Sequence, residues 1–240
     1  VESFPKQPSR VGVDRLFDGI APTYDLLNRL LSFRRDVAWR RCLVEALPKD
    51  DGLRLLDVAT GTADVPITAV TRCPQLAHAV GVDFSGQMLA HGKRKVEARG
   101  LSDPIELHQG DALGLKFDDE SFDAVTIAFG IRNVMNTEAA LKEMWRVLKP
   151  GGSVLVLEFS LPRSRLLRAT YLFFFRHILP RLGGLISGDA GAYRYLNETV
   201  ETYPCGREFV AILERVGFSA CSCRALTFGI ASLYSGVKST

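Results

Sequence analysis

The sequence lacks any uninterrupted apolar run of membrane-spanning length, and it lacks a signal peptide, so neither a helical membrane span nor secretion is expected. It has little charge in excess. Thirty Lys and Arg stand against 27 Asp and Glu, a net charge of +3, which gives no reason to expect nucleic acid as a partner. Cysteine is sparse and scattered: Cys42, Cys73, Cys205, Cys221 and Cys223 are odd in number and have no paired metal-ligand spacing. That argues against a zinc site and against a disulfide framework. Cys221 and Cys223 stand two apart on an expected strand, where both face one side and bridge poorly. All five read as reduced thiols of a cytosolic protein. No internal repeat or low-complexity segment stands out. A chain of 240 residues has room for one large α/β domain, or for one domain carrying a helical insert.

What is present is alternation. Residues up to about Pro8 are expected to be disordered, and helical segments follow at Arg10 to Phe17, Leu26 to Leu31 and Arg35 to Leu47, punctuated by Pro22 and Ser32. Strands are then expected at Leu53–Val58, Ala77–Asp83, Ile105–Gln109, Phe122–Phe129 and Ser153–Phe159. Helices at Pro66–Cys73, Ser85–Arg99 and Thr137–Leu148 separate them, with Ser85 as a helix cap and Lys149 to Gly152 as a turn. Such a rhythm implies a mostly parallel sheet covered by helices on both faces. Residues 161–204 interrupt it with a helical, aromatic insert, after which helix Arg207–Val216 and strands Ser219–Leu226 and Ala231–Lys238 complete the sheet. One domain is expected, divided into an N-terminal helical cap (1–50), a binding core (51–160), the insert (161–204) and a closing helix and strands (205–240).

The most informative stretch is LLDVATGTAD, Leu55 to Asp64, where the first strand must turn into a helix. The small corner Gly61-Thr62-Ala63 lets backbone N–H groups approach a ligand that larger side chains would block. The helix start just beyond aims further donors at the same spot. About twenty residues on, Val80-Gly81-Val82-Asp83 ends a second strand in an acid placed to accept from both hydroxyls of a ribose. A dinucleotide fold would want three glycines and a phosphate on the helix start; here Gly61 is the only glycine in the loop, and Asp64 sits where phosphate would go. The loop therefore favours S-adenosylmethionine, which has a sulfonium, an amino group and no phosphate. Gln109-Gly110-Asp111-Ala112 closes the third strand, where Asp111 suits the adenine amino group and the Ala112 N–H a ring nitrogen. The fourth strand ends at Ala128-Phe129-Gly130, followed by Arg132 and Asn133 as candidates to face an acceptor; a surface arginine in a loop is the plain alternative.

Together, DVATGTAD, GVDFSGQML, the GDA turn, FGIRNV and RVLKPGGSVLVLEFS resemble the menaquinone/ubiquinone-biosynthesis C-methyltransferases. The resemblance runs from about Leu16 to Lys238. Its most specific pieces are Tyr24 to Ser32 continuing to Trp39, and Arg146 to Ser160; Tyr193 to Leu196 and the terminal LTFGIASLYSGVK share it. It implies a class I S-adenosylmethionine-dependent methyltransferase fold, Rossmann-like with seven strands, and methylation of a ring carbon of a reduced, prenylated quinol, with S-adenosylhomocysteine as product. Thr62, Asp83, Asp111 and Ala112 would hold the methyl donor, with Gly61, Phe84 and Ala128 completing that set. Two positions depart from the family: Asp36 stands where a His is usual, and Ala63 where Gly is common.

A phenolic proton with solution pKa near 10 needs help at neutral pH. Arg132 is expected to stabilise the phenolate, Asp36, Asp25 or a water to take the proton, and Tyr195 to bond the second ring oxygen. In the insert, Tyr171, Phe173, Phe174 and Phe175 lie among Arg168, Arg176, His177 and Arg181. Such a segment can shape a greasy channel, touch a membrane surface or simply cover the core. The expected location is cytoplasmic, with peripheral contact at the inner face of the membrane and a homodimer left open. The acceptor can be a naphthoquinol or a benzoquinol. Rival readings are a methyltransferase for another phenol, sterol or fatty acyl group, a non-catalytic donor-binding scaffold, and an NAD-linked oxidoreductase.

Overall fold

The computed structural model describes residues 29, 32, 34–162, 164–178 and 199–239. The expected disordered start, the helices at 10–17 and, but for Arg29, at 26–31, and the residues Asp25 and Tyr195 lie outside them. The described elements are α1 (Arg35–Glu45), β1 (Leu53–Val58), α2 (Asp64–Arg72), β2 (Leu76–Asp83), α3 (Gly86–Glu97), β3 (Ile105–Gln109), β4 (Phe122–Ala128), α4 (Thr137–Val147), β5 (Leu148–Phe159), α5 (Arg165–Phe173), α6 (Arg207–Val216), β6 (Phe218–Leu226) and β7 (Ala231–Lys238). Seven strands form one sheet in the order β3-β2-β1-β4-β5-β7-β6. The first five run parallel, and β7 enters antiparallel to both β5 and β6.

The strands form where apolar residues run nearly unbroken, as a sheet buried on both faces requires. All but one of the six residues of β1 are buried, as are five of the seven in β4. One core cluster packs α4 (Leu141, Met144) and α6 (Phe209, Ile212, Leu213) on one side of the sheet. The other packs α1 (Trp39, Leu43, Val44) and α2 (Val65, Ile67, Ala69) on the opposite side. Local chemistry sets the helix ends. Ser85 accepts from the Met88 N–H at 3.1 Å to begin α3, and Asn136 caps α4 through the Ala139 N–H at 3.0 Å. Gly217, with φ +115°, stops α6 in the left-handed region that glycine adopts without strain.

Several boundaries shift by one or two residues from expectation, and that of β5 shifts furthest. The Lys149 to Gly152 turn lies inside β5, not before it, because Leu148 already pairs with Phe122. The register slips before Ala124 meets Ser153, so the extra residues are absorbed as a bulge. The order reverses between β1 and β4, and at such a switch point the carboxyl ends of parallel strands open a crevice.

Candidate active site

At the end of β1 the chain turns through Ala59, Gly61 and Ala63, whose φ values of 52°, 57° and 64° are all left-handed. Two of the three are not glycine, so the corner is held by its surroundings against a cost of about 1–2 kcal/mol per residue. Asp83, at the end of β2, is the main support. Its Oδ2 accepts the Gly61 N–H at 2.7 Å and its Oδ1 accepts the Ser85 N–H at 2.9 Å. The Asp83 carbonyl also accepts from Gly110, which ties the ends of β2 and β3 together. Gly81 is required by close approach: a Cβ there would lie 2.6 Å from Leu107 Cδ2 and 2.8 Å from Thr60 Oγ1.

The other expected donor-site residues gather around this corner. Thr62 is buried behind Gly61. Phe84 follows Asp83 and is half exposed, its carbonyl accepting from the Gln109 side chain at 2.9 Å. Asp111 shapes its own turn, accepting from the Leu113 N–H at 3.0 Å, with Ala112 inside that turn. Ala128 ends β4, and the chain then crosses so close to the corner that a Cβ on Gly130 would sit 2.6 Å from Ala59 Cβ.

Asp64 corrects the sequence reading. It is not an open acid repelling phosphate: Lys95 Nζ meets Oδ1 at 2.5 Å and Arg40 lies 3.6 Å from Oδ2. Burial works against ionisation there, but Arg40 and Lys95 overcome it and hold the carboxyl below its ordinary range. Asp57 behaves in the opposite way. It lies beneath the corner, accepting the Thr126 hydroxyl at 2.6 Å from the directly paired residue of β4. Burial pushes its pKa up to about 7, against the pull of that hydroxyl.

On the β4–β5 side, Arg132 is 7% exposed rather than a loop arginine at the surface. Its Nη1 donates to the Phe129 carbonyl at 2.7 Å and to Glu158 Oε1 at 2.6 Å. Its Nε is buried without a hydrogen-bond partner, and Nη2 takes no part in either bond. The guanidinium stands 5.2 Å from the Phe159 ring. Phe129 and Phe159 lie 4.6 Å apart, and Trp39 closes the wall 5.9 Å and 6.1 Å from them. The Trp39 indole N–H donates to Thr227 at 2.8 Å, joining α1 to the turn before β7. Tyr171 of α5 has its hydroxyl buried near Arg132 and Glu158, and burial pushes its pKa up.

Asp36 does not point into this crevice as an available base. Its Oδ1 accepts the Ser32 hydroxyl at 2.7 Å and its Oδ2 pairs with Arg40 at 2.7 Å, all within α1 and the residues before it. Both of its carboxylate oxygens are thus already engaged within the protein. Sequence reasoning missed Glu158, Arg40, Lys95 and the buried hydroxyl of Tyr171. Glu158 stood inside a recognised signature, but nothing in its spacing announced Arg132 as its partner.

The sequence profile of the ubiE/COQ5 methyltransferase family matches residues 6–238. A ubiquinone/menaquinone biosynthesis C-methyltransferase of Geobacter sulfurreducens is 48% identical over 223 residues, 93% of this chain and 87% of that one. A demethylmenaquinone methyltransferase of Thermus thermophilus is 48% identical over 221 residues, 92% of this chain and 99% of that one. Among solved structures, a phosphoethanolamine N-methyltransferase of Haemonchus contortus superposes with a TM-score of 0.69 at 16% identity, covering 97% of this chain and 62% of its own. At that identity the likeness is one of fold.

Proposed function

Because the chain belongs to the ubiE/COQ5 methyltransferase family, we propose that it moves a methyl group from S-adenosylmethionine to a ring carbon of reduced demethylmenaquinone. The single observation that carries the acceptor side is Arg132. With Nη1 fixed by Glu158 and the Phe129 carbonyl, the guanidinium is held against the aromatic wall, and Nη2, outside both of those bonds, is its donor toward an acceptor oxygen.

The corner fits the methyl donor. The crossing of Gly130 against Ala59 and the small residues at 59–63 keep side chains clear of a ligand lying along the loop. Asp83, at the end of β2 beside the corner, would receive the ribose hydroxyls of the donor. Gly61 and Thr62 would hold the donor from the loop, Ala128 from the end of β4, and Asp111 and Ala112 along the adenine edge, with Phe84 against the base. Bound there, S-adenosylmethionine supplies an electrophilic methyl carbon on a sulfonium.

The chain's own part is to prepare the acceptor. The quinol ring lies against Trp39, Phe129 and Phe159, and Arg132 donates to the oxygen beside the reacting carbon. A cation there favours the phenolate over the phenol, whose ordinary pKa is about 10. The adjacent ring carbon then carries the electron density, takes the methyl group and afterwards loses its own proton. Burial of the wall excludes water, and placement supplies much of the acceleration. Tyr195 is proposed to bond the second ring oxygen and Asp25 or a water to take the proton; Asp36 is better placed to position Arg40.

Arg132→Ala should lower turnover of reduced demethylmenaquinone by about 100-fold, with S-adenosylhomocysteine affinity little changed. Equal losses in turnover and donor affinity would remove this role. We also propose that α5 touches a membrane surface. Leu166, Leu167 and Phe173 are exposed on it beside the exposed Arg165 and Arg168, a pairing that suits an anionic leaflet.

A further inference from the structure

Four charged side chains alternate in sign through the protein between α1 and the donor corner. Ser32 donates to Asp36, and Asp36 pairs with Arg40 at 2.7 Å. Arg40 lies 3.6 Å from Asp64, which pairs with Lys95 at 2.5 Å. Lys95 then donates to the Thr62 hydroxyl at 2.9 Å. Side-chain exposure is 6% and 9% for Asp36 and Arg40, and 20% and 19% for Asp64 and Lys95. Ion pairs this buried are weak sources of stability, since desolvation offsets most of the attraction. What they do well is fix geometry.

Three features give that geometry a purpose. The series ends on Thr62, in the middle of a corner whose left-handed residues need external support. Helix α3, which carries Lys95, presses on the same place: a Cβ on Gly92 would sit 3.2 Å from the Thr62 carbonyl carbon and 3.4 Å from Ala63 Cβ. At its other end, α1 also carries Trp39, which closes the aromatic wall, and the Arg40 guanidinium stands 5.9 Å from the Phe129 ring of that wall.

We propose that Asp36, Arg40, Asp64 and Lys95 form a positioning relay that sets the donor corner from α1, so that donor affinity depends on a carboxylate that does not touch the donor. This rests on the donor seat proposed above. The relay makes α1 common to both substrates: one turn of helix fixes the acceptor wall through Trp39 and the donor corner through Asp36 and Arg40. Coupling of this kind is reciprocal for binding, so whatever factor the acceptor imposes on donor affinity the donor imposes on acceptor affinity.

The test is a double-mutant cycle read as S-adenosylhomocysteine affinity by calorimetry. Asp36→Asn should weaken binding about 5-fold and Lys95→Met about 10-fold, and the double variant should bind no more weakly than Lys95→Met alone. Lys95→Arg, which keeps the cation, should restore affinity to within about 2-fold of wild type. Asp36→Asn and Lys95→Met each leave a charge in a buried pair without its partner, so the unfolding midpoint of the ligand-free protein should fall as well, and affinity is therefore read at a temperature well below every midpoint. Multiplying single effects, or an unchanged affinity in Asp36→Asn, would overturn the relay. So would a variant set in which the midpoint falls and affinity does not. If the wild type binds no S-adenosylhomocysteine, the donor seat fails and the relay with it; normal wild-type binding with independent variants overturns the relay alone.

Discussion

Asp57 illustrates how one buried group reports on the whole corner. Its folded pKa of about 7 lies above the ordinary 3.8, because burial disfavours the carboxylate more than the Thr126 hydroxyl favours it. A group raised in this sense binds its proton more tightly in the folded state. Its contribution is fully present below the unfolded pKa and is lost as pH rises through the folded one. The wild type should therefore lose stability relative to Asp57→Asn by up to about 1.4 kcal/mol per pH unit between about pH 4 and about pH 7, and the difference should level off above that. Urea unfolding of both proteins at several pH values measures it; parallel curves would show that Asp57 keeps its ordinary pKa. At the same scale, legibility in the sequence was uneven. Asp83 stood out because a ribose-binding acid has a characteristic distance from the loop. Lys95 and Asp64, 31 residues apart, and Arg132 and Glu158, 26 apart, did not, because their pairing depends on how α3 and β5 fold back.

Among the elements, those whose ends are fixed by local chemistry matched the sequence reading residue for residue: β3, α6 and β7 begin and end where turn residues and apolar runs place them. Strand β5 did not, since Phe122 recruits Leu148 into the ladder and carries the Lys149 to Gly152 segment into the sheet. That is a tertiary effect, invisible to a rule that reads Pro-Gly-Gly as a stop. The turn after β4 is tightly packed against the corner. Gly130 has a negative φ of −111°, open to residues other than glycine, so its need for glycine is one of space alone. Gly130→Ala drives a methyl group against Ala59 at 2.6 Å, with Ile127 at 3.3 Å behind it. The expected cost is about 1–3 kcal/mol of stability, with weaker S-adenosylhomocysteine binding because Ala59 belongs to the corner. Unfolding and binding titrations of the purified variant check both; a change in stability without one in binding would separate the turn from the donor seat.

For the whole molecule, the sheet divides the labour. Its carboxyl ends carry the donor corner on the β1–β2 side and the Arg132 pair on the β4–β5 side, and α1 spans between them on one face. Among the described residues, no helix is long and apolar enough to cross a membrane. The membrane contact proposed for the exposed side of α5 is tested with vesicles. The protein should float with anionic phospholipid vesicles and much less with zwitterionic ones, and replacing Leu166 and Phe173 by Glu should abolish flotation. Failure of the wild type to float on either would remove α5 as a docking face.

The most direct measurement is methyl transfer from methyl-labelled S-adenosylmethionine to reduced demethylmenaquinone, run beside the demethylated benzoquinol. We expect label on a ring carbon of the naphthoquinol, with the benzoquinol labelled more slowly. Donor binding with no label in either ring, or label on a quinol oxygen, would contradict the account.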